Sequence, residues 1–188
     1  MNTILQKELK KILNGRFSQS ESTRLNYSRG EDTYDPILSK AVVFPETNEE
    51  VSKILKLCNE HKVPVVPFGT GTSLEGNVVG NDKGITISLE KMNKILTVNT
   101  QDFDCRVQAC VTREQLNDYL REDGVFFPID PGANAAIGGM ASTSASGTMA
   151  VKYGTMKTVI TGLTVVLPNG EIMNTGGRTK KTSAGYNL

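Results

Sequence analysis

The chain has 188 residues, and its 21 Lys and Arg residues nearly balance 20 Asp and Glu residues, for a formal net charge of +1. This length suits one domain, with or without a small appendage, and allows a hydrophobic core. The balanced charge provides no basic surface for nucleic acid, so we expect no nucleic-acid partner. His61 is the only histidine, and the three cysteines lack metal-ligand spacing, so we predict no metal site.

Cysteine content and hydropathy bear on the compartment. Three cysteines without a disulfide pattern are typical of a reducing compartment, and no apolar run approaches the length that spans a membrane. Residues 3–13 are amphipathic, which suits a helix docked on the protein better than a helix on a membrane surface. We therefore expect a cytoplasmic protein, with peripheral membrane association as the alternative.

The periodicity of apolar residues predicts both helices and strands. Strand patterns lie at residues 41–44, 63–66, 85–89, 95–98, 105–109, 125–127 and 159–167. Helical patterns lie at residues 3–13, 47–58 and 112–120, and the polar residues 17–36 predict a surface loop. The mixed order predicts an α+β fold with mixed sheets.

A first unusual loop follows the strand pattern at residues 63–66 and runs from Pro67 to Gly76. Its glycines allow positive φ and close backbone approach, and its hydroxyls add donors, which together suit phosphate oxygens. Asn77 stands where a P-loop has its lysine, and Leu74 stands where the dinucleotide fingerprint has its third glycine. The loop matches neither motif, and an ordinary glycine-rich turn stays open as the alternative.

A second unusual stretch, residues 128–147, consists almost wholly of small residues. Gly138 and Gly139 offer amides for phosphate, and the hydroxyls at 142, 143, 144 and 146 offer further donors. A flexible linker is the alternative, although linkers rarely contain residues such as Ile137 and Met140. Two donor-rich loops in one domain suit an extended dinucleotide better than a single phosphate.

These stretches resemble the FAD-linked oxidases of the vanillyl-alcohol oxidase type, whose flavin domain is also called the PCMH-type domain. The similarity covers roughly residues 40 to 188 and is greatest to the flavin-dependent D-lactate dehydrogenases, with the glycolate oxidase flavin subunit close behind. The matching motifs are Val43–Pro45 followed by Glu50–Val51 of a helix, Pro67–Gly76, Phe127–Gly132, Ile137–Gly139, Ala145–Gly147, Val151–Met156, Val165–Gly170 and Ser183–Leu188.

The resemblance implies a PCMH-type FAD-binding domain of two α/β subdomains over residues 37–188, preceded by a helix and surface loop over residues 1–36. It implies that FAD is bound without a covalent bond, because Thr72 stands where covalently attached members have histidine. The residues implied to bind FAD are Pro67, Gly69, Thr70, Gly71, Thr72, Ser73, Pro131, Gly132, Ile137, Gly138, Gly139, Ser142, Ser146, Gly147, Tyr153, Gly154 and Ile160.

The resemblance also implies an activity: oxidation of a 2-hydroxy acid such as D-lactate by hydride transfer to FAD. In the family the substrate cap and its metal ligands follow the region that ends at residue 188, so we predict no catalytic residue in this chain. The alternatives are a non-catalytic fragment or subunit that needs a partner chain, and a glycolate oxidase-type flavin subunit. A homo-oligomer is compatible with either, and the electron acceptor is left open. A peptidoglycan-precursor reductase of the same superfamily fits less closely.

Overall fold

The computed structural model describes residues 3–179, 181 and 183. The helices are α1 Thr3–Leu13, α2 Glu21–Asn26, α3 Asn48–Glu60, α4 Arg113–Leu120, α5 Ile137–Ser142, α6 Ala150–Tyr153 and α7 Met156–Val159, with a 3₁₀ helix at Arg121–Asp123. The strands are β1 Phe17–Ser18, β2 Val42–Val43, β3 Val65–Phe68, β4 Ile85–Ser88, β5 Ile95–Asn99, β6 Asp104–Val107, β7 Gly162–Val166 and β8 Ile172–Gly176. These helices and strands form two compact units. The first unit is Met1–Met92 with Val166–Ile172, and the second is Asn93–Val165 with Met173–Leu188.

The first unit is built on a four-stranded sheet in the order β1-β2-β4-β3. β1 is antiparallel to β2, whereas β2 and β3 both run parallel to β4, so the sheet is mixed as predicted. All four residues of the inner strand β4 are buried. β3 lies at the sheet edge, which is where a strand containing Pro67 is tolerated because proline cannot donate to a ladder.

The core of the first unit is covered by α1, which confirms the predicted docking helix. Leu5, Leu9 and Leu13 are fully buried, because a spacing of four residues places them on one face of the helix. They pack in one cluster with Ile54 and Cys58 of α3. Burial raises the pKa of the Cys58 thiol to about 12, so this thiol is neutral and unreactive at physiological pH.

Arg16 and Glu50 connect the start of α3 to the residues next to β1 and β2. Arg16 Nη2 donates to Glu50 Oε1 at 2.5 Å, and Arg16 Nη1 donates to Glu50 Oε2 at 2.7 Å. Arg16 Nη1 also donates to the Phe44 carbonyl at 2.9 Å. The hydrogen bonds from Arg16 hold the pKa of Glu50 below its ordinary value, so the pair favours the charged carboxylate.

Substituting Glu50→Gln is expected to lower the free energy of unfolding at pH 7 by about 1.5 kcal/mol, the contribution typical of a hydrogen bond to a charged group. Because the folded pKa of Glu50 is lowered, its stabilisation is present above the unfolded pKa and is lost as the pH falls through the folded pKa. The difference in Tm between wild type and variant should therefore shrink below about pH 4. Glu49→Gln, an exposed neighbour in the same turn, is the control. A difference that stays constant from pH 7 to pH 3 would contradict the prediction.

The second unit contains two-stranded sheets and short helices. β5 and β6 pair antiparallel, and β7 pairs with β8. One core cluster is centred on Ile129, Met140 and Met156, and another is formed by residues of α4 with Val111. The predicted start of α4 is confirmed, since the Thr112 side chain accepts from the Gln115 amide at 3.2 Å.

Two assignments made from the sequence are wrong. Residues 17–36 are not all loop, because β1 and α2 form there and Ser20 caps α2; both elements are too short to show periodicity. The predicted strand at 125–127 does not form. Instead, the amide and the carbonyl of Phe127 bond to the side-chain amide of Asn117, at 2.7 and 3.2 Å, which replaces a strand partner.

Further differences concern residues 137–176, where the short helices α6 and α7 are also unpredicted. The strand predicted at 159–167 begins only at Gly162, since Val159 ends α7, and β8 was not predicted at all. The turn at residues 168–170 is present, with Gly170 at a φ of +86°. The small-residue stretch contains the unpredicted helix α5. In the Ser183–Leu188 motif, residues 184–188 lie outside the described residues.

Candidate cofactor site

The first glycine-rich loop leaves the end of β3 and presents a row of backbone donors. In the part of the chain that the structure describes, the amides of Gly69, Gly71, Thr72 and Ser73 have no protein hydrogen-bond acceptor. These four residues are only half-buried, so a ligand can reach them. Successive amides of this kind form a concave site for an anion.

The conformation of this loop depends on Gly71. Its φ is +76°, and a Cβ there would lie 2.8 Å from the ring of Phe68. Both the left-handed backbone and the nearby ring therefore favour glycine at this position. The hydroxyl oxygens of Thr70 and Thr72 lie 3.4 Å apart.

A segment of the N-terminal region, Arg29 to Tyr34, packs against the first loop. A Cβ on Gly30 would lie 2.7 Å from the Ser73 carbonyl oxygen and 2.9 Å from the Gly71 carbonyl oxygen. The Gly30 amide and the Tyr34 amide donate to the side chain of Asp32 at 3.3 and 3.1 Å, which holds the segment in a turn. The polar residues 17–36 predict only a surface loop, so the contact of this segment with the first loop is not expected from the sequence.

The same segment and the first loop line an open cleft with a volume of about 470 Å³. The Tyr27 ring packs edge-on against Phe68 at 5.1 Å between centroids, and the Tyr27 hydroxyl donates to Glu90. The cleft is lined by Asn26, Tyr27, Arg29, Gly30, Glu31, Phe68, Gly69, Thr70, Gly71 and Glu90. Five of the six lining residues outside the loop lie before residue 32, in a region where no site residue is predicted from the sequence.

The second loop packs against the chain segment that precedes α4. The Ile137 amide donates to the Val111 carbonyl, and the Gly138 amide donates to the Ala109 carbonyl, both at 2.8 Å. A Cβ on Gly138 would lie 2.8 Å from both the Cβ and the carbonyl oxygen of Ala109. Gly138 therefore serves close backbone packing, and its amide is already occupied by the protein.

Gly139 is placed differently from its neighbour. It is exposed, and a Cβ built on it would meet no atom within 4 Å among the described residues. Outside its own helix α5, its amide has no acceptor in residues 3–179. Of the two glycines predicted to offer amides, Gly139 is the one whose amide and Cα face remain open to a ligand.

The remaining residues of the second loop are arranged around Asp130. Pro131 and Gly132 are exposed, and the Gly132 amide donates to Asp130 Oδ1 at 3.0 Å. The Gly147 backbone lies against the Asp130 backbone so closely that a Cβ would be 1.8 Å from the Asp130 carbonyl oxygen. The loop therefore returns on itself at this contact.

Two hydroxyls predicted to bind FAD sit at the exposed end of the loop. Ser142 and Ser146 are both exposed. The Ser142 hydroxyl donates to the Gly138 carbonyl at 2.9 Å, so its lone pairs, rather than its proton, are available to a ligand.

Tyr153, Gly154 and Ile160 follow the second loop. Tyr153 packs edge-on against Phe126, with ring centroids 5.5 Å apart. Gly154 has a φ of +80° and a ψ of −157°, a conformation nearly restricted to glycine. The Ile160 amide donates to the Met156 carbonyl at 3.0 Å, so an Ile160 backbone contact to a ligand would have to use its carbonyl.

The structure thus groups the predicted site residues by unit. Those from Pro67 to Ser73 lie together on the first loop of the first unit, and those from Pro131 to Ile160 lie in the second unit. Among the residues that the structure describes, no helix is both long and apolar enough to cross a membrane.

The fold is α+β, the first glycine-rich loop presents a row of open amides, and the second presents the open amide of Gly139. The comparison with known families assigns this arrangement to a flavin-binding class. Residues 39–176 match the family described as FAD binding domain, and the chain belongs to that family. It is 47% identical over 174 residues to a probable mitochondrial D-lactate dehydrogenase of Danio rerio, covering 91% of this chain and 35% of that protein. It is 42% identical over 183 residues to the mitochondrial D-lactate dehydrogenase [cytochrome] of Arabidopsis thaliana, covering 96% and 32%.

Three other comparisons concern one sequence relative and two solved structures with a similar fold. The chain is 35% identical over 174 residues to the glycolate oxidase subunit GlcD of Bacillus subtilis, covering 92% of this chain and 37% of that protein. Its fold is similar to that of alkyldihydroxyacetonephosphate synthase, with a TM-score of 0.86 at 22% identity over 100% of this chain and 36% of that one. A p-cresol methylhydroxylase gives a TM-score of 0.77 at 25% identity, covering 92% and 35%. The PCMH-type fold is therefore confirmed, and the chain spans about a third of the length of these relatives.

Proposed function

We propose that this chain is the FAD-holding part of a flavoprotein dehydrogenase that oxidises a 2-hydroxy acid such as D-lactate. The observation that carries the cofactor assignment is the row of amides at Gly69, Gly71, Thr72 and Ser73, which lack acceptors among the described residues. The substrate class rests on the relatives at 47% and 42% identity, both named D-lactate dehydrogenases. Bound FAD would accept a hydride from the substrate, and this chain's share is to hold and orient the cofactor.

The proposed site keeps all the residues predicted from the sequence. The first loop, Pro67 to Ser73, is proposed to bind the diphosphate, and the residues from Pro131 to Ile160 the remainder of FAD. We propose non-covalent attachment, because Thr72 offers no nucleophile suited to a flavin bond. We also propose that the FAD-binding domain begins at residue 37, although Leu5, Leu9 and Leu13 of the preceding helix α1 belong to the core of the first unit.

The chain alone is not proposed to turn over substrate. It spans about a third of its relatives, so a base and a carboxylate anchor are proposed to come from a further part of the protein or from a partner chain. A glycolate oxidase-type flavin subunit is the second candidate, supported by 35% identity to GlcD. The higher identity to the D-lactate dehydrogenases favours the first candidate.

The compartment remains a proposal. Two of the relatives are named as mitochondrial, so the cytoplasmic assignment gains no support from them. Neutral buried Cys58 is compatible with any reducing compartment.

A visible absorption spectrum tests the proposed function. The purified chain is mixed with FAD, passed through a gel-filtration column, and examined for flavin bands. Retained flavin is expected, and it should be released by acid or denaturant, since the attachment is non-covalent. A flavin that stays attached after denaturation would contradict the non-covalent proposal, and absence of retained flavin would show that this chain does not hold FAD by itself.

Dye reduction tests the proposal that this chain alone does not turn over substrate. With D-lactate, glycolate and an artificial electron acceptor, the FAD-loaded chain is expected to show no turnover. Turnover with either acid would overturn the proposal that the catalytic groups lie elsewhere, and the preferred acid would distinguish the two candidate functions.

A further inference from the structure

We infer that Arg29 supplies the positive charge of the first loop's diphosphate site, and that the segment Arg29–Tyr34 is the second wall of that site. The inference rests on the proposed function, since it assigns a further residue to the same ligand. The loop itself, residues 67–76, contains no lysine or arginine that could neutralise a phosphate. A P-loop neutralises phosphate with a lysine, but the equivalent position here is Asn77.

The arrangement of the segment places it against the loop. Gly30 faces the carbonyl oxygens of Gly71 and Ser73, and a Cβ there would lie within 2.9 Å of both. Those carbonyls therefore face the segment, while the amides of Gly71 and Ser73 have no acceptor in the described part of the chain. At the other end, a Cβ on Gly76 would lie 2.8 Å from the Tyr34 ring. The segment thus contacts both ends of the loop.

The formal charge of the residues that line the cleft is negative, so an anion bound there depends on the positive charge of Arg29. The charged residues that line it are Arg29, Glu31 and Glu90, a formal sum of one positive and two negative charges. The Glu90 carboxylate accepts a hydrogen bond from the Tyr27 hydroxyl, which holds this side chain in place. If Arg29 were removed, a diphosphate on the amides of Gly69 and Gly71 would meet two carboxylates and, among the residues that line the cleft, no cation.

Arginine suits this role for a second reason. Its guanidinium is always charged and presents several donors in a plane, so it binds phosphate oxygens in pairs. Arg29 is exposed, and no ion pair or hydrogen bond of its side chain occurs among the described residues. Its head group therefore has no competing protein partner to leave before it binds a ligand.

The test compares Arg29→Met, Arg29→Lys and the wild-type chain, with FAD and riboflavin as probes. Arg29→Met is expected to weaken FAD binding about tenfold or more, the loss typical of one charge-assisted hydrogen bond. Arg29→Lys should recover part of that loss. Riboflavin lacks the diphosphate, so its affinity should be the same in all three proteins. Lys40→Met removes an exposed charge of the same unit outside the cleft and should change neither affinity.

Two results would overturn the inference. One is an Arg29→Met variant that binds FAD like the wild type. The other is an equal loss for FAD and riboflavin, which would indicate a general structural effect instead of a charge on the diphosphate. Unchanged thermal melting of the variant accompanies the expected result.

A wild-type chain that retains no FAD would count against the proposed function, and a second probe then decides the inference separately. Inorganic pyrophosphate is titrated into the ¹⁵N-labelled chain. The amides of Gly69, Gly71 and Ser73 and the Arg29 side-chain N–H are expected to shift together and saturably. Shifts of the loop amides without Arg29, or no shift at all, would overturn the inference.

Discussion

Replacing Gly147 by alanine is expected to lower the free energy of unfolding by about 3 kcal/mol, the upper range for overpacking a well-packed site. A Cβ at this position would lie 1.8 Å from the carbonyl oxygen and 2.2 Å from the carbonyl carbon of Asp130. These are backbone atoms, so no side-chain rotation can relieve the contact. The turn of the second loop has to open, and FAD retention is expected to be lost with it. Urea unfolding and flavin retention after gel filtration measure the two effects.

The control for this prediction is Gly177→Ala. Gly177 has no atom within 4 Å of its added Cβ among the described residues, and it lies outside the proposed site. This variant should match the wild type in both measurements. Should Gly147→Ala not accumulate as folded protein, Gly138→Ala gives a milder form of the same test, since its Cβ would lie 2.8 Å from the Cβ and carbonyl oxygen of Ala109. Wild-type stability in both loop variants would show that the close backbone contacts are not required.

Gly139→Ala is expected to separate stability from cofactor binding. Gly139 lies within α5, and its added methyl group would meet no atom of another described segment within 4 Å. Alanine should therefore raise the free energy of unfolding by about 0.5 kcal/mol. If FAD lies on this open Cα face, the same methyl group should reduce FAD affinity at least tenfold. Thermal melting without FAD and fluorescence titration with FAD measure the two opposite changes.

The opposite signs make this prediction specific. A loss of affinity that accompanied a loss of stability would point to a damaged loop, whereas a gain of stability with unchanged affinity would remove Gly139 from the site. Gly177→Ala again serves as the control, because its added methyl group meets no described atom within 4 Å and Gly177 is not among the predicted FAD-binding residues. Gly138→Ala should instead lose stability and affinity together.

Local patterns were enough to predict the long helices and the inner strands. α1, the start of α3 at Thr47 and the start of α4 at Thr112 follow from apolar spacing and capping side chains, which act within a few residues. The edge position of β3 agrees with the presence of Pro67, which cannot donate to a ladder. The strand predicted at 125–127 failed because its backbone bonds to Asn117, a partner that no periodicity reveals.

The chemistry of the loops was likewise visible in the sequence, but the use of each residue was not. Composition alone treats Gly138 and Gly139 as equivalent donors. In the folded chain, the Gly138 amide is consumed by Ala109, while Gly139 stays open. Whether an amide is available depends on which carbonyl lies opposite, and that is set by packing between segments about 30 residues apart.

The sequence by itself therefore determined the family, the cofactor class and the two loops, because these depend on residue types at short spacing. Only the tertiary structure decided that Arg29 and Gly30 lie against the first loop, about 40 residues away along the chain. A long-range contact of this kind leaves no local signature, since it depends on single residues such as Arg29 and Gly30 in a segment that has no periodicity of its own. Its position follows from the close packing of backbone at Gly30 and Gly76, which only the folded chain brings together.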